Sequence, residues 1–373
     1  MTRRKFIYFT ALISGGIVMA CNRNSKELIP ITQSFSMPHE GEKHERSWLC
    51  FVSNSLLSPQ QSKEIKYNLV SIAIMIAKYE PLSILVAKQD KAELIALLGD
   101  LNAYHYPISL VECPLDSFYL RDMATVFVKD SKGKKAGLDF NFLAWKKEDD
   151  EKAYLKLHDP KVASFLCKQS RIKSIASNII LKGGAFEVDG EGTALMSESD
   201  ILDEMYNPDL EKEFIETELK QLLGLEKIIW LKGNSNKHKS TDFYVRFVRQ
   251  GVVLVAIDNY QDSEDYARTR ENIALLKASS DAQGNPLEVH TIAMPNFIDD
   301  SYGVENFLGG YLGYYECNHA IIMQKFGDTQ SDKKARDTLK TLFPLKNIEQ
   351  INLDALSSAG GSIHRATLQE FAI

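Results

Sequence analysis

The spacing of apolar residues changes period repeatedly along the chain. Residues 209–231 pass from apolar positions three and four apart, which are typical of an amphipathic helix, into the apolar strand Lys227–Leu231. Residues 268–292 and 332–352 repeat this change, and residues 62–86 and 90–112 show it as well. Because the three later units begin about 60 residues apart, the pattern predicts one helix-and-strand unit used several times.

Strand pairs are predicted between these units. Residues 186–196 alternate apolar and polar positions around Asp189-Gly190, which predicts a hairpin. A second pair is predicted over residues 243–257, with its turn at Gly251. No clear linker interrupts residues 40–373, so we predict a single α/β domain over residues 38–373. A two-domain α/β protein remains the alternative, because periodicity does not distinguish the two.

The amino terminus has the layout of an export signal. Three basic residues precede the apolar run 6–20, which is shorter than the roughly 20 residues that span a membrane. Residues 2–6 resemble a twin-arginine signal, and Val18-Met19-Ala20-Cys21 resembles a bacterial lipoprotein box. We therefore predict an export signal over residues 1–20, lipidation at Cys21 and a polar tether over residues 21–37.

This interpretation places the protein outside the cytoplasm, anchored by lipid to the bacterial cell envelope on its periplasmic or surface side. The alternative is a plain secretory signal with an incidental cysteine. The sequence predicts no oligomeric state.

Composition narrows the function further. A hydrophobic fraction of 44% and a charged fraction of 25% indicate a folded core over most of the length. The net charge of −6, with no basic block after the first five residues, argues against a nucleic-acid partner. The five cysteines form no C-x-x-C pair, so no structural metal site is predicted.

Six segments in chain order resemble motifs of the agmatine deiminase and bacterial peptidylarginine deiminase family. The segments are His44-Glu-Arg-Ser-Trp48, Phe118-Tyr-Leu-Arg-Asp122, Gly137-Leu-Asp139 with Trp145, Gly183-Gly184 with Asp189-Gly-Glu-Gly-Thr193, Phe326-Gly-Asp328 and Gly360-Gly-Ser-Ile-His364. Each motif alone is weak, but six in order over about residues 38–373 are specific.

The resemblance implies a fold and a chemistry. The fold is a five-bladed α/β propeller of ββαβ modules with a central pocket. Family enzymes hydrolyse a guanidinium group to a ureido group and ammonia, with two carboxylates that hold the planar cation, a cysteine nucleophile and a histidine for proton transfer. The resemblance implies no cofactor.

Carried over position by position, the resemblance indicates that the cation-holding acids are kept and the reacting groups are lost. Asp122 and Asp242 match the two carboxylates. The histidine position is Ser240, the family's asparagine falls on Gly313, and the nucleophile position is Arg365. Arginine stays protonated and is no nucleophile, and serine does not relay protons near pH 7 as imidazole does. A shift of two residues in the alignment would instead restore His238 as the base.

We therefore hypothesise a non-catalytic homologue in which the Arg365 guanidinium lies between Asp122 and Asp242, with neither imidazole nor thiol beside the acids. If Arg365 points outward, the acids are free to bind a guanidino or arginyl ligand. The competing function is an active deiminase of agmatine or peptidyl arginine with a displaced nucleophile. Without the resemblance, Arg121-Asp122 would be read as a surface pair and Asp242 as a solvated strand end.

Overall fold

The computed structural model describes residues 33–52, 57–143, 157–203, 206–233, 239–298, 301 and 307–373. Its strands are β1 (Phe35–Ser36), β2 (His44–Phe51), β3 (Leu82–Val86), β4 (Ile108–Glu112), β5 (Val126–Asp130), β6 (Lys135–Asp139), β7 (Lys173–Ala176), β8 (Phe186–Val188), β9 (Thr193–Ser197), β10 (Lys227–Leu231), β11 (Val245–Arg249), β12 (Val252–Ile257), β13 (Glu288–Ala293), β14 (Tyr315–Glu316), β15 (Ala320–Lys325), β16 (Asn347–Asn352) and β17 (Thr367–Phe371).

The helices alternate with these strands. The α-helices are Pro59–Ile76, Lys91–Leu98, Leu120–Met123, Val162–Gln169, Glu198–Ile201, Lys212–Leu223, Thr241–Tyr244, Glu264–Lys277, Thr329–Leu342, Asp354–Ser358 and Ile363–Ala366, and short 3-10 turns lie at Leu101–Ala103, Asp159–Lys161, Gly183–Ala185 and Tyr311–Gly313.

The strands form five sheets that share one plan. Their orders are β1-β5-β6-β7, β10-β9-β8, β11-β12-β13, β14-β15-β16 and β17-β2-β3-β4. In each sheet an antiparallel pair is followed by a parallel strand, as in the pairs β11–β12 and β12–β13. The parallel partner follows a helix in the chain, because two parallel strands need a crossover between them.

The carboxyl-terminal strand completes the sheet of the second strand. Strand β17 pairs antiparallel with β2, so that Thr367 faces Leu49 and Leu368 faces Trp48. The last strand of the chain therefore shares one sheet with β2, β3 and β4, while β1 pairs with β5. Within the described residues none of the five sheets closes on itself.

Local sequence signals explain where the longer helices begin. Ser58 accepts a hydrogen bond from Gln61 N at 3.2 Å before helix Pro59–Ile76, and Pro59 takes the first helical position, where its missing N–H costs nothing. Asp328 likewise accepts from Ser331 N at 3.1 Å before helix Thr329–Leu342. Side-chain caps of this kind satisfy amide groups that the helix itself leaves unpaired.

The hairpin predicted at Asp189-Gly190 is present between β8 and β9. Asp189 Oδ1 accepts from Glu191 N and Thr193 N, each at 2.9 Å. Gly190 has a φ of 80°, which glycine adopts without the steric cost that a Cβ brings. The five predicted helix-then-strand units and the second hairpin are confirmed as well, except that residues 243–244 belong to a helical turn rather than to the strand.

The described fold buries its cysteines without pairing them. Cys50, Cys113, Cys167 and Cys317 are all free and buried. Cys50, Cys113 and Cys317 fill an apolar cluster, as predicted for Cys50 and Cys113.

The export signal, Cys21 and residues 21–32 of the tether lie outside the described residues. Among the helices that the structure describes, none combines the length and the apolar character that crossing a bilayer demands.

Candidate functional site

Five short helical turns, one in front of the first strand of each antiparallel pair, carry the predicted site residues. Asp122 lies in Leu120–Met123 and Asp242 in Thr241–Tyr244. Arg365 lies in Ile363–Ala366, Gly184 in Gly183–Ala185 and Gly313 in Tyr311–Gly313. Positions spread over the whole sequence thus occupy equivalent places in the five modules.

Neighbouring turns contact one another in a closed ring. Thr241 Oγ1 donates to Ala185 O at 2.7 Å, and Arg121 Nε donates to His364 O at 2.7 Å. Close backbone approaches join the others, and two of them lie at Gly183 and Gly313. A Cβ added to Gly183 would lie 2.3 Å from the main-chain oxygen of Arg121, and one added to Gly313 would lie 2.6 Å from the Cβ of Ser362.

Asp242 and Arg365 form a two-pronged ion pair inside this ring. Arg365 Nη2 donates to Asp242 Oδ1 at 2.7 Å, and its Nε donates to Asp242 Oδ2 at 3.2 Å. The two residues are only 2% and 1% exposed. Burial alone would raise the pKa of Asp242, but the Arg365 guanidinium and hydrogen bonds from His364 and Arg365 hold it well below its usual range. With the family resemblance set aside, Asp242 is expected to be a solvated residue at a strand end. The structure shows that this expectation is wrong.

Asp122 lies beside this pair without joining it. Its Oδ1 accepts from Gly184 N at 3.1 Å. A Cβ on Gly184 would lie 3.0 Å from Asp242 Oδ2, so this glycine lies against both acids. Among the described residues no ion pair links Asp122 to Arg365, and the hypothesis of a guanidinium bound by both acids is wrong in that respect. The charges of Asp242, Asp122 and Asp200 nevertheless raise the pKa of Arg365 against the effect of burial.

The structure also places Ser240 and Gly313, the positions onto which the resemblance carries the family's histidine and asparagine. Ser240 is 3% exposed, and its Oγ donates to Asp200 Oδ1 at 3.2 Å. Gly313 has no room for an asparagine, because Ser362 lies within 2.6 Å of where the Cβ would be. His238, the alternative base, lies outside the described residues.

One expectation is overturned by His364. An imidazole ring does lie beside the acids: His364 Nδ1 is 3.0 Å from Asp242 Oδ2, and Nε2 is 2.8 Å from Glu40 Oε1. Sequence reasoning treated this residue only as part of a motif. Both ring nitrogens face carboxylates, and the side chain is 0% exposed, so the ring has no nitrogen directed at open space.

On the side of the His364 imidazole away from Asp242, Glu40 is bound by two arginines. Arg121 Nη1 donates to Glu40 Oε1 at 2.6 Å, and Arg246 Nη2 donates to Glu40 Oε2. Arg246 Nε also lies 2.8 Å from Glu187 Oε1. Burial would raise the pKa of Glu40, yet Arg121 and Arg246 keep it well below its usual value. The pKa of Glu187 is raised, first by burial and then by the nearby Glu40.

No pattern in the sequence marks Glu40 or Arg246 as a site residue. Arg121 could be noticed beside Asp122, but the expectation of a surface pair without the resemblance is wrong, because Arg121 is 5% and Asp122 4% exposed. Glu40 and Arg246 lie 206 residues apart and meet only in the folded chain.

Three side chains lie close enough together to bind a metal ion, but each is already paired with another charged residue. Ligand atoms of Glu40, Glu187 and His364 lie within 4.8 Å of one another. Arg121, Arg246 and Asp242 already bind these three side chains, so the cluster is arranged as an ionic network rather than as an open ligand set. The cavity that borders Glu40 and Arg121 measures about 20 Å³, room for a single water.

No described thiol is arranged as a nucleophile. Burial raises the pKa of Cys113 to about 11 and that of Cys50 and Cys317 well above the usual value. The pKa of Cys167 is raised by burial as well. A thiolate attacks carbon, so a thiol held protonated in this way is inert.

The fold and the ring of site residues define a class of α/β proteins that modify guanidino groups. A solved agmatine deiminase of Enterococcus faecalis matches at a TM-score of 0.80 and 26% identity, over 90% of this chain and 96% of that one. An agmatine deiminase structure from C. jejuni, with substrate bound, shares the fold at a TM-score of 0.78 and 21% identity, over 93% of this chain and 99% of that one.

Sequence comparison assigns the family. The family profile of the Porphyromonas-type peptidyl-arginine deiminases matches residues 36–370. A protein of Streptomyces avermitilis, provisionally named an agmatine deiminase, is 30% identical over 352 residues, which are 91% of this chain and 98% of that protein. The chain therefore belongs to the agmatine and peptidylarginine deiminase family, as the sequence motifs predicted.

Proposed function

We propose that this chain is a non-catalytic member of its family, in which the guanidinium site has become an internal ion pair. The observation that carries the proposal is the two-pronged bond between Arg365 and Asp242. Two carboxyl groups close together in a buried site are stabilised by a nearby cation. Arg365 supplies that cation from the position where the resemblance places the nucleophile. Asp122 and Asp242 are then the former substrate-holding acids.

The remaining reacting groups are compatible with this role. An arginine at position 365 stays protonated at any physiological pH and does not attack carbon. Ser240 donates to Asp200 and so serves as a structural donor. Because Arg365 fills the space beside Asp242, a free guanidino or arginyl ligand must displace it before it reaches that acid.

The competing function, a working deiminase, is favoured by one observation, the His364 imidazole beside Asp242. The test is direct. The purified chain is incubated with agmatine and, separately, with an arginyl peptide, and ureido product and ammonia are measured against an active agmatine deiminase. We expect no product above background. Turnover that disappears in an Asp122→Asn variant would overturn the non-catalytic role.

We further propose that the five sheets are blades of a propeller around the ring of turns. Two features support this arrangement: the contacts between successive turns, and the pairing of β17 with β2, which builds one module from the carboxyl-terminal strand and β2–β4. Small-angle scattering of the purified chain tests it. A flat cylindrical envelope supports the propeller, and an elongated chain of modules contradicts it.

For the amino terminus we propose export, lipidation at Cys21 and attachment to the cell envelope. The proposal rests on the sequence of residues 1–26 alone. Cells that express the chain are labelled with a radioactive fatty acid and fractionated, with Cys21→Ala as the matched variant and Cys50→Ala as the control. We expect label in the membrane fraction for the unchanged chain and for Cys50→Ala. Equal labelling of Cys21→Ala would contradict lipidation at that residue.

A further inference from the structure

A cavity of about 390 Å³ opens at the edge of the sheet β11-β12-β13, where β12 and β13 end. The start of helix Glu264–Lys277 borders it, and Ser263 and Asp265 form that wall. Phe243, which directly follows Asp242, lines another side. Ligands of α/β proteins characteristically bind at the carboxyl ends of parallel strands, and the volume falls in the range of small-molecule sites.

Exposed aromatic side chains are concentrated at this cavity. Within the described residues, three aromatic side chains are strongly exposed, namely Tyr67, Tyr260 and Phe297. Tyr260 and Phe297, 67% and 63% exposed, both line the cavity. Exposing two large rings costs solvation free energy and gains no internal packing, so their grouping at one cavity marks a contact surface. Rings of this kind bind cations through their π faces.

The charge that faces the cavity is a carboxylate with an unused oxygen. Asp258 is only 8% exposed and lines the cavity. Its Oδ1 accepts from Tyr260 N at 2.9 Å, and within the described residues no side chain forms an ion pair with the carboxylate. Arg270 binds the main-chain oxygen of Asp258, at 2.7 Å, and leaves the carboxylate unpaired.

The lysine at the cavity is already paired with another acid. Lys239 Nζ lies 2.6 Å from Asp265 Oδ2, and Tyr244 OH donates to Asp265 Oδ1 at 2.7 Å. The charges of Lys239 and Asp265 thus offset each other. Asp258 supplies the remaining negative charge among the described residues of the lining.

We propose that this cavity binds a small organic cation, an amine or a guanidinium at the end of an apolar chain. The N–H groups of the cation donate to the free oxygen of Asp258, and the apolar chain packs on Tyr260 and Phe297. A charge-assisted hydrogen bond in a recess is stronger than a neutral one. Unlike the acid Asp242, Asp258 has no arginine, within the part of the chain that the structure describes, that a ligand would have to displace. The site is independent of the proposed loss of catalysis.

The probe for this site is phenethylammonium, and its uncharged matched analogue is 2-phenylethanol. Binding of each to the purified full-length chain is measured by titration calorimetry and by saturation-transfer NMR. We expect phenethylammonium to bind at least about tenfold more tightly than the alcohol, because the hydrogen bond to a charged group is lost with the ammonium. Absent binding of phenethylammonium, or equal binding of the alcohol, would overturn the proposal.

Variants locate the site. Asp258→Asn keeps the shape of the side chain and is expected to weaken phenethylammonium binding at least about tenfold. Asp262→Asn removes the same charge from an exposed position four residues away and is expected to leave binding unchanged. Tyr260→Ala, which alters an exposed side chain and so keeps the fold, is expected to weaken binding of both probes.

The same titration on Asp122→Asn separates this cavity from the acid site. Binding that survives in Asp122→Asn and is lost in Asp258→Asn supports the cavity. Binding that is lost in Asp122→Asn but kept in Asp258→Asn would place the cation at the acid site and overturn the inference. Thermal unfolding of each variant shows that it is folded at the temperature of the titration.

Discussion

Two buried aspartates at the same edge of one sheet have opposite surroundings. Asp242 precedes β11 and Asp258 follows β12, and the pairing of Val245 with Val255 brings both to that edge. Asp242 receives a two-pronged bond from Arg365, whereas Asp258 keeps a free oxygen at an open cavity. Residue type and local position are alike, so the difference comes from the cation that the rest of the fold brings near.

Under the proposed function, the comparison explains how a binding site could be lost while its acids are kept. A carboxylate is available to a ligand only when no internal cation satisfies it first. In the proposed function, an arginine at position 365 both stands where the resemblance places the attacking group and fills the space that a substrate cation would need. Among the described residues no arginine forms an ion pair with the Asp258 carboxylate. Changes to either acid or to its cation should therefore have separable effects.

The largest effect is expected from Asp242→Asn. This change leaves the Arg365 guanidinium buried without its partner, and breaking a buried ion pair on one side costs about 3–5 kcal/mol. The free energy of unfolding, measured by urea denaturation, should fall by that amount. Asp262→Asn, at an exposed position, should change it by no more than about 0.5 kcal/mol. A loss of less than about 1 kcal/mol would show that Asp122 and Asp200 compensate Arg365 instead.

The direction of the Asp242 pKa shift predicts how the stability gap between the unchanged chain and Asp242→Asn depends on pH. The folded-state pKa of Asp242 is lowered, so its stabilisation is present above the unfolded pKa of about 4 and is lost as pH falls through the folded value. The gap in unfolding free energy between the unchanged chain and Asp242→Asn should stay constant from pH 8 to pH 5 and shrink below about pH 4. A gap that instead closes near neutral pH would contradict this origin.

Arg365→Ala is expected to cost somewhat less, about 3 kcal/mol, because the vacated space admits water to the acids. Millimolar methylguanidinium should raise the melting temperature of this variant and leave that of the unchanged chain as it is. Methylammonium at equal concentration is the control for charge without planarity. If methylguanidinium stabilises both proteins equally, Arg365 does not occupy a guanidinium site.

A smaller effect is expected from restoring the family's asparagine alone. Gly313→Asn places a side chain against Ser362, and overpacking of this kind costs roughly 1–3 kcal/mol. Gly313 is not among the glycines with a positive φ, so the expected cost comes from the contact with Ser362 and not from the backbone. An unfolding midpoint of Gly313→Asn equal to that of the unchanged chain would contradict the clash.

The smallest change in stability is expected from Asp258→Asn. Its free oxygen has no internal partner to lose, so the unfolding free energy should shift by no more than about 0.5 kcal/mol while cation binding is lost. Urea denaturation measured beside the titration decides this. A large destabilisation would mean that the carboxylate has a structural partner after all.

The modules were predictable from local pattern. The change of apolar period marked helices such as Lys212–Leu223 and strands such as Lys227–Leu231, and Asp189-Gly190 marked a hairpin, because these signals act over a few residues. The acids Asp122 and Asp242 were found through the ordered motifs. Phe243 was assigned to a strand although it lies in a helical turn, since a single turn leaves no periodic signal.

The contacts inside the ring were not predictable in the same way. The sequence identifies His364 only as part of a motif. In the structure its imidazole bridges Asp242 and Glu40, which lie 122 and 324 residues away in the chain. No periodic pattern encodes which side chains face one another across five modules.

By itself, the sequence determined the modules, their order and the identity of the groups present at the site, because helical and strand periods and turn residues act locally. Only the tertiary structure decided that Arg365 binds Asp242 and that Asp258 faces open space. The physical reason is that charge pairing depends on distances of a few ångströms, and burial makes those distances matter. Such distances arise only when the five turns meet.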